Sequence, residues 1–337
     1  MRIEEFDYLL PSELIAQEPP PRRGMSRLMV LEGDKISHHR FPEILKFLRE
    51  GDILVLNDAR VIPARFIGRK EKTGGRVEVL LLERVEDKIW RVATGGRKVS
   101  PGTRIKFDHQ ITGEILEEKE GRKILKFHSP FSMREILNKA GRIPLPPYIK
   151  EPTPLSFKKY QTVYARRNGA IAAPTAGFHF TRGILEKIRN KGIKIAFLTL
   201  LVGWGTFAPV RVEEVEKHRM EGEFYQIPPE TADLINDTKR RGGRVIAVGT
   251  TVVRTLESAV KGKEISPGEG WTDLFIYPGY RFRMVDVLLT NFHLPRSTPL
   301  ILVSAFAGRE RILRAYKEAI KEKYRFYSFG DAMLIID

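Results

Sequence analysis

The chain has 337 residues, of which 58 are Lys or Arg and 42 are Asp or Glu, giving a formal net charge of +16. Its 42% hydrophobic and 30% charged residues are typical of globular proteins and exclude disordered and collagen-like classes. The absence of cysteine excludes thiolate nucleophiles, disulfides, iron–sulfur clusters and cysteine-based zinc sites. The large positive charge points to a polyanionic partner without identifying it.

The N-terminal sequence gives no sign of export. It carries Glu4, Glu5 and Asp7 where a secretory signal would have a basic flank followed by an apolar stretch. The longest apolar runs, such as residues 300–307, are much shorter than the roughly 20 residues that cross a bilayer. We therefore expect a cytoplasmic protein that has no contact with a membrane.

The first motif with chemical potential follows a predicted buried strand within residues 51–57. Asp58, Arg60 and Arg65 come at or just after the carboxyl end of this strand, which is where α/β sheets form ligand crevices. A turn salt bridge from Asp58 to Arg60 or Arg65 is an equally good interpretation.

The next segment, residues 61–150, contains a series of short strand candidates separated by glycine-containing turns, which predicts a small β-barrel. The candidates are residues 76–82, 88–92, 104–107, 111–116 and 123–127. This segment has 20 basic and 11 acidic residues, so it carries +9 of the total charge. For a single Lys or Arg a solvated surface is the better interpretation, but as a group they make the barrel a candidate nucleic-acid platform.

The remainder of the chain is predicted to be an α/β domain. A proline-rich linker at residues 144–154 precedes alternating helices and strands, which indicate a mixed, largely parallel sheet. The predicted helix–strand pairs are 181–191 with 193–200 and 229–240 with 244–248, followed by a helix from near 251 and a strand over 273–277. We therefore predict a discontinuous α/β domain, residues 1–60 and 151–337, with the barrel inserted as residues 61–150.

Two segments of the predicted α/β domain combine side chains suited to ligand binding. In residues 172–180, Thr175, His179 and Phe180 lie among small residues that permit close approach of a ligand. A histidine between two phenylalanines is more often a packing residue than a base. In the second segment a strand, a glycine turn and a helix start bring together Gly249, Thr250, Thr251 and Arg254, a pattern that suits a carboxylate or phosphate. Capping of the helix by either threonine is the ordinary alternative.

Other functional classes lack sequence support. No Walker or Rossmann glycine motif is present, and the seven histidines lack the spacing of metal ligands, so we expect no metal site. Three further polar or aromatic positions follow or precede predicted strands: Trp204, His293 and Asp331.

Eight segments, in this order, resemble one family of enzymes, the S-adenosylmethionine:tRNA ribosyltransferase-isomerases of queuosine biosynthesis. They are residues 11–17, 57–65, 144–149, 160–165, 173–180, 248–251, 290–295 and 324–333. The resemblance implies an α/β domain with an inserted β-barrel. It also implies transfer and isomerisation of the ribosyl part of S-adenosylmethionine onto 7-aminomethyl-7-deazaguanine at the tRNA wobble position. The products would be epoxyqueuosine, adenine and methionine.

The chemistry of this reaction leads to hypotheses about the roles of the candidate residues. A general base would remove a proton next to the sulfonium, and the candidates are His179, His293 and Asp58. A carboxylate or aromatic face would stabilise the sulfonium, for which the candidates are Asp58, Glu223, Asp331, Trp204 and Phe180. The methionine carboxylate suits Gly249, Thr250, Thr251 and Arg254. Arg60, Arg65 and Thr175 complete the substrate-binding set. S-adenosylmethionine would be a consumed co-substrate, with no cofactor, and we expect a monomer.

The chain departs from the family pattern at Leu201 and Glu221, where histidines are usual. These departures favour His179 and His293 among the possible essential histidines. Two other classes stay open: a non-catalytic RNA-binding or ribosome-associated protein, and a methyltransferase. Release of free adenine distinguishes the predicted enzyme from both.

Overall fold

The computed structural model describes residues 1–119, 122–150, 152–203, 210 and 212–336, and the chain divides into two compact units. The first unit consists of Met1–Arg60, Pro146–Arg167 and Ala173–Asp337, and the second of Val61–Leu145 and Asn168–Ala172. The second unit is therefore built mainly from one insertion, together with five residues from a later part of the chain.

The elements alternate between strands and helices in the first unit, whereas strands dominate the second. The strands are β1 Arg27–Glu32, β2 Lys35–Arg40, β3 Ile53–Asn57, β4 Ala59–Val61, β5 Arg65–Lys70, β6 Arg76–Glu86, β7 Ile89–Gly95, β8 Arg104–Lys106, β9 Thr112–Lys119, β10 Arg122–His128, β11 Arg167–Ala170, β12 Lys194–Leu200, β13 Glu223–Ile227, β14 Val245–Val248, β15 Val260–Lys261, β16 Glu264–Ile265, β17 Gly268–Thr272, β18 Val287–Asn291 and β19 Ala332–Ile336. The helices are α1 Met133–Ala140, α2 Pro154–Lys159, α3 Arg182–Asn190, α4 Pro229–Arg240, α5 Thr250–Ala259, α6 Thr298–Ala307 and α7 Arg309–Lys321. Within the described part of the chain, no helix is long and apolar enough to cross a membrane.

The first unit is organised around a nine-stranded sheet with the order β17-β13-β12-β3-β14-β18-β19-β1-β2. Its four central strands, β12, β3, β14 and β18, run parallel. Antiparallel pairing joins β13 to β12, β17 to β13 and β19 to β18. Together with the barrel of the second unit, this mixed sheet confirms the predicted fold class.

Both faces of the central sheet are covered, because side chains along each strand alternate between two apolar cores. Ile53 and Val55 of β3 pack in the core that includes residues of α4 to α7. Leu54 and Leu56 point the other way, into the core formed with α3 and the 3-10 helix Phe41–Lys46. Full burial of each such side chain contributes about 1.5–3 kcal/mol, so the strand ends that carry the polar residues are firmly positioned.

The second unit is a closed barrel with the order β10-β7-β6-β5-β8-β9. Phe66, Phe107 and Phe127 pack against one another in its core, with ring centroids 5.1–5.8 Å apart. Gly68 leaves the space for this packing, since a Cβ atom there would lie 2.7 Å from the Phe107 ring. The barrel thus has six strands rather than the five predicted. We missed β5 because Gly68 and three basic residues interrupt its apolar pattern.

A second prediction was wrong: residues 273–277 are not a strand. On the side away from β12, β13 pairs with β17, which ends at Thr272, opposite Glu223. Beyond it the backbone contacts side chains instead of another strand. The backbone N–H of Leu274 donates to the Thr272 hydroxyl at 3.2 Å, and the Leu274 carbonyl accepts a hydrogen bond from Nε of Arg254 at 2.9 Å.

Candidate active site

Parallel pairing brings the carboxyl ends of β12, β3, β14 and β18 to one edge of the sheet, and Asn57 connects three elements there. Its amide nitrogen donates to the Leu200 carbonyl at 3.0 Å and to the Thr251 hydroxyl at 3.3 Å. Its amide oxygen accepts the backbone N–H groups of Leu200 and Ala59 at 3.1 and 3.0 Å. Asn57 is fully buried, so these bonds fix the end of β12 and the start of α5 relative to β3.

Asp58 follows at the same edge and is only partly buried. The Thr199 hydroxyl donates to its Oδ1 at 2.7 Å, and no other side chain of the described residues donates a hydrogen bond to this carboxylate. Burial raises the pKa of Asp58, while Thr199 and the charges of Arg166 and Arg167 oppose that rise. A partly exposed carboxylate with a raised pKa is suited to proton transfer.

Neither predicted ion pair of Asp58 is found among the described residues. Arg60 is exposed in the first unit. Arg65 belongs to the second unit, where its guanidinium forms two hydrogen bonds, of 2.6 and 2.9 Å, with the Glu78 carboxylate. The ion pair of Arg65 is therefore made within the barrel.

His179 lies at the centre of a buried hydrogen-bonded chain. Asn291 donates Nδ2 to the Tyr327 carbonyl at 3.1 Å and to Nε2 of His179 at 3.2 Å, while its Oδ1 accepts the Thr175 hydroxyl at 3.2 Å. This arrangement assigns the histidine proton to Nδ1, which donates to Ser26 Oγ at 2.7 Å. Burial, with smaller contributions from nearby arginines, lowers the pKa of His179 to about 3. Both ring nitrogens are thus committed to protein groups, and the ring is neutral.

His293 is also held inside the protein. Its ring Nε2 contacts the Thr290 hydroxyl at 2.8 Å. Its backbone N–H donates to the Tyr316 hydroxyl at 2.9 Å, and its backbone carbonyl accepts a hydrogen bond from the Tyr8 hydroxyl. Burial lowers the pKa of His293 to about 3. A histidine with so low a pKa is a weak base at neutral pH.

Glu223 and Arg254 form a buried ion pair between β13 and α5, with side-chain exposures of 4% and 8%. Arg254 donates from Nη1 to Glu223 Oε2, while its Nε and Nη2 donate to the carbonyls of Leu274 and Thr272. Glu223 Oε1 accepts the N–H of Gly203 at 2.8 Å. The pair therefore anchors the chain immediately before Trp204, a predicted site residue that lies outside the described residues.

The glycine turn predicted to bind an anion borders a cleft of about 350 Å³. Gly249 has a φ of +90° and is itself the N-cap of α5, so neither threonine caps the helix through its side chain. The cleft is lined by Thr250, Thr251 and Arg254 together with mainly apolar residues of three other segments: Met220, Leu274, Phe275, Ile276, Thr298, Pro299 and Leu302.

The remaining candidates make internal contacts. Phe180 is fully buried and packs edge-on against Phe41, with ring centroids 5.0 Å apart. Asp331 is buried and accepts the backbone N–H groups of Arg27 and Arg325, both at 2.8 Å. Leu201, where the family usually has histidine, continues the pairing of β12 by donating its N–H to the Phe224 carbonyl at 2.9 Å.

Three residues that the sequence analysis did not single out are central to this edge: Asn57, Asn291 and Ser26. Asn57 and Asn291 each occupy the last position of a strand. A buried amide after an apolar strand is a signal that could have identified them, since it must find several hydrogen-bond partners. Across the part of the chain that the structure describes, no cluster of three or more His, Asp or Glu residues is arranged to hold a metal ion.

Comparison with known proteins places this geometry in context. The family model described as "Queuosine biosynthesis protein" matches residues 3–335. Two relatives named S-adenosylmethionine:tRNA ribosyltransferase-isomerase come from Acetivibrio thermocellus and Thermotoga maritima. The first is 52% identical, covering 99% of this chain and 100% of the relative, and the second is 54% identical, covering 100% of both. A crystal structure of S-adenosylmethionine tRNA ribosyltransferase from Thermotoga maritima aligns with a TM-score of 0.57 and 42% identity, covering 98% of this chain and 100% of that one.

Proposed function

The chain belongs to the queuosine biosynthesis protein family, and we propose that it is an S-adenosylmethionine:tRNA ribosyltransferase-isomerase. It transfers the ribosyl part of S-adenosylmethionine to 7-aminomethyl-7-deazaguanine at the wobble position of tRNA. The products are epoxyqueuosine-tRNA, adenine and methionine. The observation that carries this assignment is identity of 52–54% with enzymes of that name over the whole chain.

Product analysis tests the assignment directly. The enzyme is incubated with S-adenosylmethionine labelled in its adenine ring and with tRNA that carries the deazaguanine precursor. We expect free adenine and methionine in equal amounts, and no adenine from tRNA with an ordinary guanine. Formation of S-adenosylhomocysteine would instead indicate a methyltransferase, and tRNA binding without adenine release would indicate a binding protein.

Within this reaction Asp58 is the best candidate for the general base. The sulfonium acidifies the protons on the adjacent 5′ carbon, and a base that removes one of them starts ring opening and loss of adenine. Burial raises the pKa of Asp58, whereas the pKa values of His179 and His293 are lowered to about 3. We assign these histidines a positioning role, since their hydrogen bonds hold Asn291, Thr290 and Ser26.

The cleft at the start of α5 is the proposed site of the methionine part of the donor. The first N–H groups of a helix lack intrahelical partners, so Thr250 and Thr251 offer backbone and hydroxyl donors to a carboxylate. The charge of Arg254 is neutralised by Glu223, and this pair therefore shapes the cleft without adding net charge. Asp58 remains the carboxylate best suited to the sulfonium, because Glu223 and Asp331 already accept internal donors.

The barrel is the proposed platform for the tRNA stem. Arg69 lies directly opposite Arg76 on one side and Lys106 on the other, so three exposed cations share one face of strands β6, β5 and β8. Like charges placed opposite each other destabilise a sheet, and a row of phosphates would relieve that repulsion. Lys106 also pairs with Glu71 at 3.2 Å.

Charge reversal tests the barrel's role. We expect Arg69→Glu to weaken tRNA binding and to reduce its dependence on salt concentration. Arg84→Glu is the matched control, because Arg84 is an exposed barrel cation that pairs locally with Asp87. Equal effects of the two variants would contradict the platform assigned to this face.

Three further proposals complete the assignment. S-adenosylmethionine acts as a consumed co-substrate, and no additional cofactor is required. We therefore expect full turnover in the presence of a chelator. The enzyme is a monomer, which light scattering at working concentration would test. The reaction takes place in the cytoplasm, which fractionation of cells would test.

A further inference from the structure

A second cleft, of about 340 Å³, lies on the His179 side of the first unit. Among the described residues its walls include two cations, Arg23 and Lys159, but no acidic side chain. The other lining residues are Pro19, Pro20, Gly24, Ser26, Phe178, His179, Ser328, Phe329 and Gly330. A concave site with positive charge and no counter-charge is suited to an anionic ligand.

The donors of Arg23 are incompletely used. Its Nη2 donates to the Lys159 carbonyl at 3.1 Å, whereas its buried Nη1 has no acceptor among the described residues. A buried donor without a partner is energetically unfavourable, so this atom would gain from an incoming oxygen.

Lys159 adds a second unneutralised charge beside Arg23. Its ammonium donates to the carbonyls of Pro20 and Pro21 at 2.7 and 2.8 Å, and no carboxylate of the described residues pairs with it. Burial and then the repulsive charge of Arg23 lower the pKa of Lys159. An anion between them would remove this repulsion.

Ser26 supplies a hydroxyl donor on the same wall. Because His179 donates to Ser26 from Nδ1, the Ser26 hydroxyl hydrogen is not needed for that bond and can point to a ligand. Phe178 and Phe329, nearly parallel with ring centroids 6.1 Å apart, form the apolar wall.

We propose that this cleft binds one phosphodiester group of the RNA substrate through Arg23, Lys159 and Ser26. The inference rests on the proposed function, which supplies an RNA and a sulfonium donor as the two candidate ligands. The donor carries two positive groups and one carboxylate, so its net charge is unfavourable beside two cations. A backbone phosphate is purely anionic, and the anticodon loop is single-stranded, so its backbone can enter a cleft.

The test compares Arg23→Ala, Arg23→Lys and Arg22→Ala by steady-state adenine release. Arg22 is the matched control, since it is the preceding residue and is exposed. We expect Arg23→Ala to raise the KM for precursor tRNA roughly tenfold. The logarithm of the tRNA binding constant should also fall less steeply with the logarithm of salt concentration, by about 0.7 in slope. Arg23→Lys keeps the charge and should raise this KM by much less. The KM for S-adenosylmethionine should stay within twofold.

The outcomes separate the possible failures. A rise in the KM for S-adenosylmethionine without one for tRNA would overturn the inference, because the cleft would then hold the donor carboxylate. Equal values for Arg23→Ala and Arg22→Ala would also overturn it. If Arg23→Ala does not fold, Lys159→Met provides the same comparison. Absence of adenine release by the unmodified enzyme would contradict the proposed function itself.

Discussion

The hydroxyl of Thr199 donates a 2.7 Å hydrogen bond to Oδ1 of Asp58. The two residues lie at the ends of neighbouring parallel strands, so the core that packs β12 against β3 also fixes this bond. Hydrogen bonding to a carboxylate stabilises its charged form. Thr199 therefore opposes the effect of burial, which raises the pKa of Asp58.

Removal of this hydrogen bond should shift the pH dependence of the reaction. A base acts in its deprotonated form, so the rate rises with pH through the pKa of Asp58. Thr199→Val should raise that pKa further and move the acidic limb of single-turnover adenine release upwards by about one pH unit. Thr238→Val is the matched control, because Thr238 is a buried threonine that bonds within α4. An unshifted limb in Thr199→Val would exclude Asp58 as the titrating base.

The buried pair of Glu223 and Arg254 should respond asymmetrically to mutation. Glu223→Gln leaves the charge of Arg254 uncompensated and should lower the free energy of unfolding by about 3–5 kcal/mol. The double variant Glu223→Leu/Arg254→Met removes both charges and should be less destabilised than the single one. Urea denaturation measures both values, with Glu214→Gln as an exposed control that should change little. A double variant at least as destabilised as Glu223→Gln would contradict this interpretation.

Local pattern was sufficient to predict elements whose signals lie within the element itself. The helix α4 begins and ends at the predicted residues, because Pro229 suits a first helical turn and glycines follow its last turn. Thr181 caps α3 by accepting the Ile184 N–H at 3.1 Å, as expected of a threonine before a helix. The mixed α/β class followed from the alternation of such elements.

The site could be predicted only in part, since its contacts join distant parts of the chain. His179 was identified as a candidate, but its bonds to Ser26 and Asn291 span 153 and 112 residues. The pairing of Arg254 with Glu223 could not be predicted either. Arg254 was expected to bind the methionine carboxylate of S-adenosylmethionine, and Glu223 was expected to stabilise its sulfonium. Composition indicates which side chains are available, whereas burial determines which of them are already committed.

His179 and His293 should make the protein sensitive to acid. Their pKa values are lowered from 6.5 to about 3, so between these limits the unfolded chain binds protons that the folded chain does not. Stability is therefore present in full above pH 6.5 and is lost as the pH falls, by about 1.4 kcal/mol per pH unit for each histidine. His179→Gln should reduce this slope by one proton in urea titrations between pH 4 and 6.5. His109→Gln, in an exposed position, should leave the slope unchanged, and a wild-type slope in His179→Gln would contradict the assignment.

Gly177 is required for packing inside the 3-10 helix Thr175–His179. A Cβ atom there would lie 2.1 Å from the Tyr164 hydroxyl and 2.8 Å from Cγ2 of Thr162. Gly177→Ala should therefore lower the free energy of unfolding by about 1–3 kcal/mol, and it should slow adenine release because Thr175 and His179 would shift with the helix. Gly183→Ala, in α3 with open space around it, is the control and should be neutral or stabilising.

Tyr164→Phe should rescue part of this loss. The Tyr164 hydroxyl is buried and has no hydrogen-bond partner among the described residues, so its removal should not lower the free energy of unfolding. In the double variant the closest clash is removed, but Cγ2 of Thr162 and Cζ of residue 164 would still lie 2.8 and 3.0 Å from the new methyl group. The free energy of unfolding of the double variant should therefore lie between that of Gly177→Ala and that of the wild type. A double variant no more stable than Gly177→Ala would show that the contact with the Tyr164 hydroxyl does not cause the loss.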